Sequence, residues 1–184
     1  REKREALKAR RYCIERLHKY IYATEDDSLE EVVGKILARS KQTLGIAESI
    51  TGGMIGDRIT SVPGSSRYFF GSIVSYANSI KEKLLGVDKA VLDRFGAVSK
   101  QTAIAMALGV RKSLKTSYGL SVTGIAGPTG KTKKKPIGLV FIAIAFANRV
   151  YCKKYEFRGD RYRIKQLTCT AALGLLYDIV RKEK

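Results

Sequence analysis

The sequence predicts an α/β domain: about five strands in a mixed sheet, with helices on both of its faces. Three observations carry this. Strand-length apolar segments alternate with helical patterns along most of the 184 residues. An apolar content of 45% is enough for one real core, while two full domains would be a squeeze. The last two strand patterns, Gly138 to Phe146 and Val150 to Phe157, are joined through Ala147-Asn148-Arg149, which is hairpin spacing and makes the sheet mixed.

Taken in order, Arg1 to Tyr20 sets Ala6, Ile14 and Leu17 among charges, as in an amphipathic helix, and Tyr22 to Asp27 breaks the pattern. Ser28 and Glu31 have capping-box spacing, so a helix should run from there to about Ser40. Thr43 to Glu48 reads as a short strand that ends at Ser49 and a Thr51-Gly52-Gly53 turn, which opens a helix from Met54 to Thr60. Tyr68 to Tyr76, rich in aromatic and β-branched residues, is expected to be a buried strand. Short helices follow at Ser79 to Leu85 and Lys89 to Phe95, and Ser99 caps a longer one facing the core with Ala103, Met106 and Val110. Leu120 to Thr123 is strand-like, Gly124 to Pro136 a loop long enough to imply a functional role, and Asp160 starts the closing helix.

Composition narrows the chemistry. The longest apolar run, Gly138 to Ala147, is strand-length, so no membrane span is expected. Three cysteines without CxxC spacing indicate neither a disulfide framework nor a zinc site, and point to the cytoplasm. His18 is the only histidine and belongs to the charged N-terminal helix, which argues against a Ser-His-Asp triad and a histidine metal site. A formal charge of +18 favours anionic partners of some kind, although only Lys131 to Lys135 forms a tight cluster and scattered basic residues usually just solvate a surface.

Three segments can carry chemistry. In Ala47-Glu48-Ser49-Ile50-Thr51-Gly52-Gly53 a serine follows a strand and precedes a helix, where unpaired backbone amides can hold an anion or oxyanion. The simpler reading is that Ser49 or Thr51 caps the helix. A serine nucleophile needs a base, and Tyr76-Ala77-Asn78-Ser79-Ile80-Lys81 supplies a lysine just past a strand end; desolvation makes a lysine a better base. Most lysines are surface residues, and Tyr76 also suits an ordinary strand aromatic. Thr123-Gly124-Ile125-Ala126-Gly127-Pro128 is a third strand end, running into glycines that let a ligand approach the backbone, without P-loop spacing. Ligands collect at the carboxyl ends of strands in open α/β sheets, which joins the three.

These residues resemble the C-terminal domain of the CinA (competence/damage-inducible) family, whose members include nicotinamide-nucleotide amidases. The likeness runs from about Ser28 onward through AES-x-TGG at Ala47 to Gly53, VPGSS at Val62 to Ser66, Y-x-N-x-x-K at Tyr76 to Lys81, LLGV at Leu84 to Val87 and GAVS at Gly96 to Ser99. It continues with TGIAGP at Thr123 to Pro128, KP-x-G at Lys135 to Gly138 and FRGDR at Phe157 to Arg161.

The resemblance implies a three-layer α/β/α sandwich over residues 28–184, with 1–27 as a linker leaving an N-terminal domain in a longer polypeptide. It also implies a homodimer without metal or cofactor that hydrolyses nicotinamide mononucleotide to nicotinate mononucleotide and ammonia. Carried over by motif, Ser49 is the nucleophile, Lys81 its base and Tyr76 a hydrogen-bonding partner. Thr51, Gly52, Gly53, Asn78, Thr123, Gly124 and Gly127 are expected to line the substrate site, with Arg161 as an anion contact because a guanidinium fork suits phosphate and carboxylate.

Two departures stand out: Pro128 to Lys135 replaces the family's glycine-rich GPGGGT run with a far more basic one, and Ile50 replaces a frequent cysteine. The rival readings are a regulatory domain that binds the nucleotide without cleaving it, and a nucleic-acid-binding module, nonspecific and steeply salt-dependent.

Overall fold

The computed structural model describes residues 2–17, 21–23 and 25–183. His18 lies outside the described residues. Helix α1 (Glu2–Leu17) is largely solvent-exposed, with Leu7, Tyr12 and Leu17 in the open and Ile14 half-buried. Then come α2 (Leu29–Arg39), β1 (Leu44–Glu48), α3 (Met54–Thr60), β2 (Phe69–Val74), α4 (Asn78–Leu85), α5 (Lys89–Phe95) and α6 (Lys100–Leu114). Strands β3 (Tyr118–Gly124), β4 (Leu139–Phe146) and β5 (Arg149–Glu156) precede the closing helix α7 (Arg161–Val180). Caps fall where hydroxyl and carboxylate residues can accept orphan amides. Ser28 and Glu31 form the reciprocal box, and Asp88, Ser99 and Asp160 accept at the starts of α5, α6 and α7.

The five strands form one mixed sheet in the order β2-β1-β3-β4-β5. β2, β1 and β3 run parallel, and β4 and β5 add an antiparallel hairpin at the far side. The chain leaves β1 through α3 to reach β2 on one side, and returns through α4, α5 and α6 to β3 on the other. β1 is therefore the topological switch point, where a crevice opens at the strands' carboxyl ends. Helices α2, α3 and α7 cover one face and α4, α5 and α6 the other, giving an α/β/α sandwich.

Strand alternation makes the two faces unequal. Leu44, Ile46, Leu120, Val122, Val140, Ile142 and Ile144 form the large core under α2, α3 and α7. The residues turned toward α6 are small, among them Ala47, Gly119, Ser121, Ala143 and Ala145. Helix α6 can therefore lie close to the sheet. A Cβ on Gly119 would overlap the Ala107 carbonyl and come within 2.7 Å of Arg111 Cβ, and Ser121 donates to the Ala103 carbonyl at 2.6 Å.

One expectation is corrected: the segment Tyr68 to Tyr76 is not a buried strand. β2 is an edge strand with Phe70 and Val74 exposed, because aromatic and β-branched content marks a pleated strand without saying whether a neighbour covers it. Tyr68, just before β2, is buried beneath α2, where Gly34 leaves room for its ring. A methyl group at Gly34 would lie 2.7 Å from Tyr68 Cζ and overlap the hydroxyl. That hydroxyl finds no hydrogen-bond partner among the described residues.

Two stability changes follow. Gly34→Ala should lower the melting temperature, because overpacking of about 1–3 kcal/mol outweighs the roughly 1 kcal/mol that alanine adds in helix propensity. Tyr68→Phe should raise it, because removing an unsatisfied buried hydroxyl stabilises the fold by about 1 kcal/mol. Thermal denaturation followed by circular dichroism checks both, and a Gly34→Ala variant melting above wild type would refute the packing account.

Candidate active site

The carboxyl end of β1 holds two consecutive polar residues whose side chains take opposite directions. Glu48, in phase with Leu44 and Ile46, turns toward α3 and is completely buried. Its two oxygens accept five hydrogen bonds: from Thr51 Oγ1 at 2.6 Å, Ser72 Oγ at 2.8 Å, and the amides of Gly53 at 3.0 Å, Ile55 at 3.1 Å and Gly56 at 2.9 Å. The carboxylate thus acts as the cap of α3. The Glu48 carbonyl in turn accepts from the Ser75 amide at 2.7 Å, tying the end of β2 to the end of β1.

Ser49 faces the other way. Its amide continues the ladder to Val122 O at 3.1 Å, and its hydroxyl meets Lys81 Nζ at 3.3 Å. Lys81, on the first turn of α4, is 1% exposed. Its Nζ also donates to the carbonyls of Ser75 at 2.6 Å and Tyr76 at 3.2 Å. Burial pulls its pKa down from the usual lysine value to about 8, by penalising the charged form. Three acceptors match the three N–H groups of an ammonium. A neutral amine has only two, which it donates to the two carbonyls; its lone pair then accepts from the one partner that can donate, the Ser49 hydroxyl.

A cavity of about 190 Å³ opens over this pair, lined by Ser49, Tyr76, Lys81, Thr123, Gly124 and Arg161, among others. It adjoins a wider one of about 380 Å³ that adds Gly127, Thr129, Gly130 and Lys135. Gly124 permits close packing: a Cβ there would come within 2.9 Å of Ile50 Cδ1 and 2.7 Å of the Leu139 carbonyl. Thr123 is buried and donates to Ala97 O at 2.7 Å, which fixes the segment at residues 97–98 as the opposite wall. Arg161, the first residue of α7, bridges Gly127 O at 2.7 Å and the Tyr76 hydroxyl at 3.2 Å. Tyr76 itself is 65% exposed, at the rim.

The geometry brings together Ser49, Lys81, Tyr76, Thr123, Gly124 and Arg161 at the inner cavity and adds Gly127 at the outer one. It does not bring Thr51, Gly52, Gly53 or Asn78 there. The Thr51 hydroxyl and the Gly53 amide are engaged by Glu48, while Gly52 and Asn78 lie at the surface and line neither cavity. The expectation that the start of α3 offers free amides to an anion is corrected for the same reason, since Glu48 already fills that position. The sequence did signal Glu48, as a carboxylate at the end of an otherwise apolar strand, and the KP-x-G motif marked Lys135 among the loop lysines without giving it a role. Among the described residues no three His, Cys, Asp or Glu side chains gather where a metal could bind, and no helix is long and apolar enough to cross a membrane.

The class so defined is a three-layer α/β domain with a serine and a buried lysine at the sheet's switch point. The CinA C-terminal domain model matches residues 26–180, and the chain belongs to that family. It is 47% identical over 169 residues to a competence-damage inducible homologue of Moorella thermoacetica, covering 92% of this chain and 41% of that protein. It is 48% identical over 165 residues to a CinA-like protein of Syntrophus aciditrophicus, covering 89% and 39%. The chain thus spans about two-fifths of the length of these relatives. Among solved structures, competence/damage inducible protein CihA of Agrobacterium tumefaciens aligns with a TM-score of 0.76 at 33% identity, over 84% of this chain and 97% of that one. A CinA superfamily protein from Klebsiella pneumoniae, at 22% identity, shares the fold with a TM-score of 0.80, over 85% of this chain and 99% of that one.

Glu48→Gln should destabilise the domain although it is nearly isosteric. All five partners of the carboxylate donate, so the amide would oppose a donor to donors, at a cost of roughly 2–4 kcal/mol. Urea denaturation measures this; an unchanged midpoint would mean the cap is dispensable.

Proposed function

We propose that this domain is an amidohydrolase acting on a small phosphorylated amide, with nicotinamide mononucleotide as the substrate of choice. The observation that carries the proposal is the 3.3 Å approach of a fully buried lysine amine to the hydroxyl of Ser49, in a cavity open to solvent. A lysine beside a serine, desolvated enough to lose its proton near neutrality, is the arrangement that activates a hydroxyl without histidine.

In this reading Ser49 Oγ attacks the carboxamide carbon while Lys81 takes the hydroxyl proton. The carbonyl oxygen becomes an oxyanion. The amide of Ile50, next to the nucleophile and without a protein acceptor among the described residues, is its candidate donor. Lys81, now an ammonium, passes a proton to the leaving nitrogen, the C–N bond breaks, and ammonia departs from an ester on Ser49. Water then attacks that ester, Lys81 accepts its proton and returns it to Ser49 Oγ as the C–O bond to the serine breaks, and the acid product leaves, ionising to the carboxylate. Tyr76 and Arg161 hold the rim: the phenol accepts from Arg161, which keeps N–H groups available for an anionic substituent. A homodimer, and cleavage rather than simple binding of the nucleotide, belong to the same proposal.

Purified protein incubated with nicotinamide mononucleotide should release ammonia, and Ser49→Ala should lower kcat at least about a thousandfold. Lys81→Arg should do the same, because a guanidinium keeps its proton at any working pH. Full activity in either variant would overturn the mechanism. The rate should also follow the neutral form of Lys81. With a pKa of about 8, about a tenth of the lysine is unprotonated at pH 7, so kcat/KM should climb through pH 8 and level off above it. A profile flat from pH 6 to 9 would exclude Lys81 as the base.

A further inference from the structure

We propose that Lys135 and Arg161 together form a seat for a doubly charged phosphate in the outer cavity, and that Lys135 is the residue that makes the site prefer phosphorylated substrates over neutral ones. This rests on the amidase reading for the identity of the substrate, while the anion seat itself rests on geometry.

Three observations converge. First, the helix start nearest the nucleophile is closed to a phosphate, because the Glu48 carboxylate already takes the amides of Gly53, Ile55 and Gly56. Second, the inner cavity, at about 190 Å³, falls below the roughly 300–1,000 Å³ of whole-ligand pockets and holds the reacting end alone. The remainder of any substrate extends into the adjoining 380 Å³ space.

Third, that outer space is lined by two cations and by no carboxylate among the described residues. Neither cation has an acidic partner within salt-bridge distance among the described residues. Each is instead fixed by a backbone carbonyl, Lys135 Nζ by Phe95 O at 2.7 Å and Arg161 by Gly127 O. Lys135 therefore keeps two N–H groups, and Arg161, after its second bond to Tyr76, keeps three. The nearest acid along the chain, Asp160, caps α7 through the Arg163 amide at 2.7 Å. Two oriented, unneutralised cations across a concave surface are what a phosphate dianion requires. Lys131, Lys133 and Lys134 lie on the same loop but line neither cavity, so their charge draws anions in without holding them.

The test separates charge from tethering. Lys135→Gln can still donate to Phe95 O but carries no charge, and Lys135→Arg keeps the charge. For nicotinamide mononucleotide, Lys135→Gln should raise KM about 10- to 100-fold with kcat within about threefold, and Lys135→Arg should stay near wild type. Kinetics on the unphosphorylated riboside should be the same in all three proteins. If Lys135→Gln keeps the wild-type KM, or loses equally on both substrates, Lys135 is only a loop tie and the proposal fails. Should wild type cleave neither compound, the amidase reading fails separately, and calorimetry with ribose 5-phosphate still decides the seat. Binding by wild type that weakens at least tenfold in Lys135→Gln supports it; no binding, or equal binding, overturns it.

Discussion

Five hydrogen bonds converge on the two buried oxygens of Glu48, and the arrangement of the candidate site depends on them. An ionised carboxylate inside a protein is tolerated only when donors replace the water it has lost. Here they come from three places at once: the turn after β1, the first turn of α3, and Ser72 on β2. Satisfying one side chain therefore fixes the path of the chain on either side of Ser49 and the position of the neighbouring strand. Because Ser75 then bonds to the Glu48 carbonyl and presents its own carbonyl to Lys81, the same network sets the position of the lysine.

The second constraint is the closeness of α6 to the sheet. Glycine, alanine and serine on that face let the helix backbone approach, which places the segment just before it, around Ala97 and Val98, against the end of β3. Large residues on the opposite face supply most of the core, so this closeness costs the fold little apolar burial. The cavity forms where these two arrangements meet, beyond the carboxyl ends of β1 and β3. Its walls are mainly backbone and small side chains, with cations at the rim.

A lysine can act as a base near neutral pH only where burial lowers its pKa. A surface lysine is protonated at neutral pH and inert; Lys81 departs from that through desolvation alone, which the packing of α4 against α6 must maintain. The basic loop lies at the other extreme, with Lys131, Lys133 and Lys134 exposed and only Lys135 turned into the concavity. One residue type thus occupies three environments in and around a single site, and its chemistry differs in each.

By itself the sequence determined the local features of this protein: the capping box at Ser28 and Glu31, the helix starts at Ser99 and Asp160, the hairpin through Ala147 to Arg149, the strand ends carrying Ser49 and Thr123, and Lys81 just past another. These depend on spacing within a few residues, where periodicity and cap chemistry act directly. The family motifs added a candidate nucleophile and a candidate base but could not tell which polar residues in the same turns were already engaged. Only the tertiary structure decided that Thr51 and Gly53 serve Glu48, that Asn78 stays outside, that β2 is an edge, and that Lys135 lines the outer cavity while its neighbours do not. Each of these turns on what lies across space from a residue. Desolvation, hydrogen-bond competition and strand neighbours are set by segments far apart in the chain, and no pattern within a window of sequence contains them.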